Sequence, residues 1–436
     1  MHTSAALARP TARIATGTYG LALDAAVFLL TVGFIYSTRF RAIAPLHTGH
    51  VAVLILFAGF GARYGRIHLP VSIVAFALFA ASIAIYSTIV ATYYGHEPVA
   101  FVTICLSMVV YVAFGFHLAA FALRRGITRE QLATYLLLMI VAGIVLNSTL
   151  CLAEALSRPL KQAVESAIID DSPFPYAMHP FKVRGLVAGA GAALSVGNAI
   201  AILMVIQLTW RGQVNMLVGS ASSATILIST IFIGRTGLLI GIPLFVIQIG
   251  LVVYMGRRDS RSRAIALLTL AACAAAVYYV TTKVTLDAEV GRWAFEWYDA
   301  LTEGSYSTSS TDDLQTMLYL TDDPMHLLLG VGLFEGASRV EVRTDSGYVR
   351  TILVLGLPLA LLLYAVITGM MARIARAFPD TRPFVLLSIL ILFIVEVKEP
   401  FFYQNMVARM LFLLAGAAVA AGAPLRAAAA EEREVP

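Results

Sequence analysis

The chain has 436 residues, of which 59% are hydrophobic and 13% charged. A soluble protein carries about 25% charged residues, so an ordinary soluble domain is excluded. The net charge of +5 does not indicate nucleic-acid binding, because the basic residues are scattered among short connections without a patch of interleaved aromatics.

The mean hydropathy is +0.82, and the apolar residues fall in blocks of about 20, the length that crosses a bilayer as a helix. The blocks are continuous rather than alternating, so helices are expected and not a closed barrel. Residues 1–152 hold five expected spans, near 20–37, 45–62, 70–94, 98–122 and 130–152. The first is read as a span and not a signal peptide, because no small-residue cleavage site ends it. Thr128 and Gln131 have capping-box spacing and should start span five. A hydrophilic loop over 153–183 follows, with Lys182 and Arg184 at its exit. The segment 184–282 holds spans six to nine, near 185–209, 214–233, 236–256 and 263–282. The longest loop covers 283–348. Spans ten to twelve lie near 349–371, 383–397 and 404–422, and 423–436 forms a tail. The expectation is an all-α polytopic membrane protein of about twelve spans.

Basic residues in short loops set the orientation. With the N-terminus inside, thirteen arginines lie in the inner connections, against Arg39, Arg41, Arg235 and Lys398 outside. Both long loops then lie on the outer face. Cys105, Cys151 and Cys273 have no paired spacing, so neither a metal site nor a disulfide is expected.

The 283–348 loop is rich in carboxylates. Between Glu289 and Glu303, Val290, Trp293, Trp297, Tyr298 and Leu301 fall at helical spacing. They suit an interfacial helix, or a platform on which sugar rings stack. Gly330 and Gly332 mark a turn whose backbone approaches a neighbour closely. His326 beside them is either a packed histidine or a ligand contact. Arg184, Arg235, Arg343, Arg350 and Lys398 stand at the outer ends of spans, and Arg409 lies within the last one. Each alone is a headgroup anchor, but several at one level suit an anion, for which the guanidinium fork matches phosphate. Asp345 precedes a span and is either a helix cap or a base.

Gly-Arg-Thr-Gly-Leu-Leu at 234–239, Leu-Gly-Val-Gly-Leu-Phe at 329–334, Asp-Ser-Gly-Tyr-Val-Arg at 345–350 and Glu-Val-Lys-Glu-Pro-Phe at 396–401 resemble the bacterial O-antigen polymerase and ligase superfamily. Arg184-Gly185-Leu186 with Gly197-Asn198 is similar to another of its landmarks. The resemblance covers about 150 to 400, and rests on the ordered set more than on any one motif. It implies a C-type glycosyltransferase architecture with two large periplasmic loops in the bacterial inner membrane. It also implies undecaprenyl-pyrophosphate-linked oligosaccharides as donor and acceptor, and a chain-length regulator as a partner. The ligase branch carries a histidine where this chain has Asp345, so the resemblance favours the polymerase (Wzy-type) branch. The rivals are the ligase, which passes glycan to a lipid A core, and a transporter or flippase for the same lipids. For such a reaction Asp345, Glu335 or Glu399 would take the acceptor proton. Arg184, Arg235, Arg343, Arg350, Lys398 and Arg409 would hold pyrophosphate. Tyr348, His326, Trp293 or Trp297 would meet sugar. No metal or other cofactor is expected, and inversion by direct displacement is the simple outcome.

Overall fold

The computed structural model describes residues 18–64, 69–169, 182–187, 191–255, 321–334 and 344–422, and isolated positions between 264 and 318 that include Glu296. The expected ninth span, nearly all of 283–320, the two termini, and Trp293, Trp297, Glu335 and Arg343 lie outside the described residues.

The regular elements among the described residues are helices. In the N-terminal part, α1 is Thr18–Tyr36, α2 Thr48–Tyr64, α3 Val71–Tyr93, α4 Val99–Arg124, α5 Arg129–Leu156 and α6 Arg158–Ala167. Then come α7 Ala192–Trp210, α8 Met216–Ile231, α9 Arg235–Met255 and α10 Pro324–Leu329. The last three are α11 Gly347–Ala377, α12 Arg382–Val395 and α13 Asn405–Gly422. Seven of these (α3, α4, α5, α7, α9, α11 and α13) are long and apolar enough to cross a membrane. The helices α1, α2 and α8 are apolar but shorter. Together with the 14-residue α12, they occupy the positions of eleven expected spans.

Local chemistry explains several boundaries. The Thr128 side chain accepts from the Gln131 backbone N–H, and Gln131 accepts from that of Thr128, so the capping box starts α5 as expected. The structure differs ahead of α7. The expected span began at 185, but the helix begins at Ala192. Gly185 and Gly191 both have left-handed φ, which does not propagate a helix. Instead the Leu186 N–H donates to Asn147 Oδ1 at 2.7 Å. The hydrophilic 153–183 stretch also contains a helix, α6, capped by Ser157.

Large apolar side chains such as Leu54, Leu78, Ile89, Val246, Leu361 and Leu390 face outward, while Ser195, Asn198, Ser220 and Gln248 are fully buried. That inversion suits a bundle dissolved in lipid, where buried polar groups bond between helices and outer faces need no water. The tightest crossing is α4 on α13. A Cβ on Gly115 would lie 2.1 Å from the Leu413 carbonyl oxygen, and one on Gly416 2.1 Å from that of Val112. Small residues here let two backbones touch, the usual device of membrane helix pairs.

Contacts between connections identify two ends of the bundle. At the lower end Arg125 pairs with Asp24 at 2.8 Å, and Arg211 with Asp380 at 2.5 Å. At the upper end lie the 182–187 segment, the starts of α7, α9 and α11, and the α12–α13 turn.

Candidate functional site

The upper end gathers cations from three separate parts of the chain. Arg235 is the first residue of α9. It is brought in by a close approach to α7, where the Gly237 N–H donates to Ser195 Oγ at 3.1 Å. A Cβ on Gly237 would collide with the Ser195 carbonyl. The Arg235 guanidinium pairs with Glu296. Lys398, just past α12, donates to Thr236 Oγ1 at 3.1 Å. Lys182 is held alongside, because the Val183 N–H donates to the Phe232 carbonyl at 3.3 Å. Burial lowers the pKa of Lys182, and the positive charges of Arg235 and Lys398 lower it further. Three half-buried cations crowding one another in this way favour anions close by, of which Glu296 is one.

Arg184 does not belong to this group. It is buried, and its backbone N–H meets Glu154 Oε2 at 3.5 Å. With Lys161 it forms a second charge cluster around the buried Glu154.

Two further carboxylates lie on the Lys398 and Arg350 side of the site. Glu399 is half-buried, and burial pushes its pKa up to about 7 against the pull of Lys398 and Arg350. Asp345 adds to the rise, so its carboxylate is a close neighbour. Asp345 itself is largely exposed and accepts from Arg350 Nη2 at 2.8 Å. It is not the cap of α11. Ser346 holds that position, and Thr344 Oγ1 accepts the Ser346 N–H at 3.2 Å.

Glu396, at the end of α12, was not singled out by the sequence, yet it is the organising carboxylate. It is fully buried. Oε1 accepts from the Tyr364 hydroxyl at 2.8 Å, and Oε2 from the backbone N–H groups of Phe401 at 2.7 Å and Phe402 at 3.1 Å. Its own carbonyl accepts the Gly347 N–H at 2.9 Å. Thr351 Oγ1 lies 2.9 Å from the Tyr364 hydroxyl and 2.5 Å from that of Tyr403. One residue therefore ties the start of α11 to the turn that carries Lys398 and Glu399. Burial lifts its pKa to about 8, with the hydrogen bonds opposing. The available signal was a glutamate ending an apolar run just before Phe401, Phe402 and Tyr403.

The glycine turn at 330–332 seats this arrangement against the rest of the bundle. Gly356 breaks α11 with φ 74°, two residues before Pro358. Beside this break the Leu353 carbonyl accepts from the N–H groups of Val331 at 2.6 Å and Gly332 at 3.1 Å. Gly330 and Gly332 are left-handed, and a Cβ on Gly332 would lie 2.4 Å from the Ala91 backbone. Phe334, which follows, lies under the Arg350 guanidinium at 5.9 Å.

The other expected contacts also bond within the fold. Tyr348 donates to the Phe393 carbonyl at 2.6 Å and packs on Tyr364. His326 sits edge-on to Tyr94, 3.5 Å from Asp323. Arg409 donates to the Ile35 carbonyl at 2.9 Å and the Tyr111 hydroxyl at 3.3 Å. Among the described residues no group of three or more His, Cys, Asp or Glu is placed to hold a metal ion.

The resulting site has cations suited to a polyanion, with a carboxylate beside them that titrates near neutrality. Such a pair can stabilise charge on a departing phosphate and accept a proton from an attacking group. No family model, curated protein or solved structure matches the chain.

Proposed function

We propose that the protein is a glycosyltransferase of the bacterial inner membrane, with about twelve spans and its active face in the periplasm. It joins undecaprenyl-pyrophosphate-linked oligosaccharide units into a polysaccharide of O-antigen type. The observation that carries this reading is the gathering of Lys182, Arg235 and Lys398 at one end of the bundle, with Glu399 next to Lys398. The motif order described above adds the substrate class, and Asp345 in place of histidine favours polymerase over ligase.

In this reading the donor's pyrophosphate rests among Lys182, Arg235 and Lys398. A hydroxyl of the acceptor sugar attacks the anomeric carbon of the donor sugar. A new C–O bond forms as the bond to pyrophosphate breaks. The electron pair leaves with the lipid pyrophosphate, whose charge the three cations stabilise. Glu399 takes the hydroxyl proton. A pKa near the working pH balances the fraction ionised against basicity, and Glu399 meets that condition. Asp345 is exposed and already paired with Arg350. Direct displacement inverts the anomeric centre. Glu396 positions Glu399 and Lys398 without touching substrate. The deciding experiment mixes the purified protein with the lipid-linked repeat unit alone. A ladder of longer lipid-linked products supports the polymerase. Product only when lipid A core is added would make it a ligase. Movement of the lipid across vesicles with no product would make it a transporter.

A further inference from the structure

A second basic site lies apart from Glu399, at the corner between α1 and α2. Ser37 takes a left-handed φ of 46° and turns the chain. The Thr48 side chain then locks the corner, accepting from the Thr38 N–H at 2.8 Å and donating to the Gly33 carbonyl at 2.9 Å. A Cβ on Gly49 would meet Ser37 Oγ at 2.6 Å, so the first turn of α2 lies directly on the corner. This geometry sets His47 and His50 edge-on at 5.2 Å. His47 is partly exposed, and its Nδ1 donates to the Ser37 carbonyl at 3.1 Å, so that Nε2 is the nitrogen left for another bond. Arg409, from the first turns of α13, lies within electrostatic reach of His50. Its guanidinium is held over the Tyr111 ring at 5.7 Å and directed by the Ile35 carbonyl.

No carboxylate among the described residues pairs with Arg409, His47 or His50. The Arg409 Nη2 group makes no hydrogen bond within them. An arginine at the level of a membrane helix is costly without an anion, and here the fold supplies only neutral acceptors. The side facing out is also informative. His50 is exposed, and Leu54, one helical turn along on the same face, is 60% exposed. An apolar chain running along α2 would therefore end at His50.

We propose that Arg409, His50 and His47 bind the phosphate of an anionic membrane lipid whose acyl chains lie along α2. This site is independent of the glycosyltransferase reading. The test uses the full-length protein in detergent micelles, with native mass spectrometry and thermal melting as readouts. The probes are phosphatidylglycerol, diacylglycerol of the same chain length, and inorganic phosphate. Phosphatidylglycerol is expected to remain bound and raise the melting midpoint, while diacylglycerol, lacking the phosphate, does neither. Arg409→Gln should weaken retention about tenfold, the weight of one charge-assisted hydrogen bond. His50→Asp, at an exposed position that does not endanger folding, places a carboxylate beside Arg409 and should weaken it similarly. Equal retention by wild type and His50→Asp overturns the site. Protection by inorganic phosphate equal to that by phosphatidylglycerol overturns the lipid as its ligand.

Discussion

The two ends of the bundle treat charge in opposite ways. At the lower end two arginines each meet a carboxylate, Arg125 with Asp24 and Arg211 with Asp380, in partly exposed pairs that serve as struts. At the upper end like charges are crowded. Lys182 feels Arg235 and Lys398, while Glu399 feels Asp345, and burial shifts the first pKa down and the second up. Both ends hold ion pairs, Arg235 with Glu296 and Arg350 with Asp345 at the upper one, but only the upper end also brings like charges together. Shifted titration beside a cluster of like charges marks a candidate functional site.

The largest expected effect comes from removing the proton acceptor. Glu399→Gln should lower turnover by about 10² to 10⁴. In the wild type, turnover should rise with pH through about 7 as Glu399 ionises, and this limb should vanish in the variant. Rates of ladder formation across pH 5.5–8.5, roughly one and a half units either side of that value, check it. Asp345→Asn, which breaks only the exposed pair with Arg350, should cost far less. A dead but folded Asp345→Asn would reverse the assignment.

Lys398→Ala comes next, with turnover reduced by about 10², as for loss of one donor to a developing anion. Arg211→Ala at the lower end should leave the same assay unchanged. Equal losses at both ends would dissolve the comparison.

Glu396 tests stability more than chemistry. Glu396→Ala strands two buried N–H groups and a tyrosine hydroxyl, at a cost of roughly 3 kcal/mol or more. Glu396→Gln keeps one acceptor for the N–H pair and should fold. Because burial raises the folded pKa of Glu396 to about 8 from the ordinary glutamate value of 4.5, its contribution is complete below about 4.5 and lost as pH rises towards 8. Melting midpoints should therefore fall over that range in the wild type and stay level in Glu396→Gln. The smallest effect belongs to the lower struts. Asp24→Asn should cost under about 1 kcal/mol, as partly exposed pairs do, and salt should mask it.

Much of the fold was legible because hydropathy and helix signals are local. The capping box at Thr128 and the α12 and α13 boundaries needed nothing beyond their own neighbours. The glycine turn was also readable, since Gly330 and Gly332 announce a close approach, though not that it ends on a break in α11. Gly356 and Pro358 carried that signal within a run otherwise apolar enough to pass as one continuous helix. The site was only half legible. Arg235 and Lys398 stood out as charges at span ends and do meet through Thr236. Arg184 stood out equally, yet its backbone turns it inward towards Glu154. Lys182, two residues earlier, takes the place expected for it.

The sequence alone determined a helical chain suited to a membrane, its polar connections, and which residues carry charge at span ends. Those properties follow from side-chain hydrophobicity and the reach of one helical turn. Only the tertiary structure decided which charges are partners. Glu396 and Glu399 are three residues apart in the same motif. One is sealed in a hydrogen-bonded clamp and the other stands beside Lys398, Arg350 and Asp345. That difference comes from burial by α11 and by the 401–403 turn, and burial is a property of the packed bundle rather than of either glutamate.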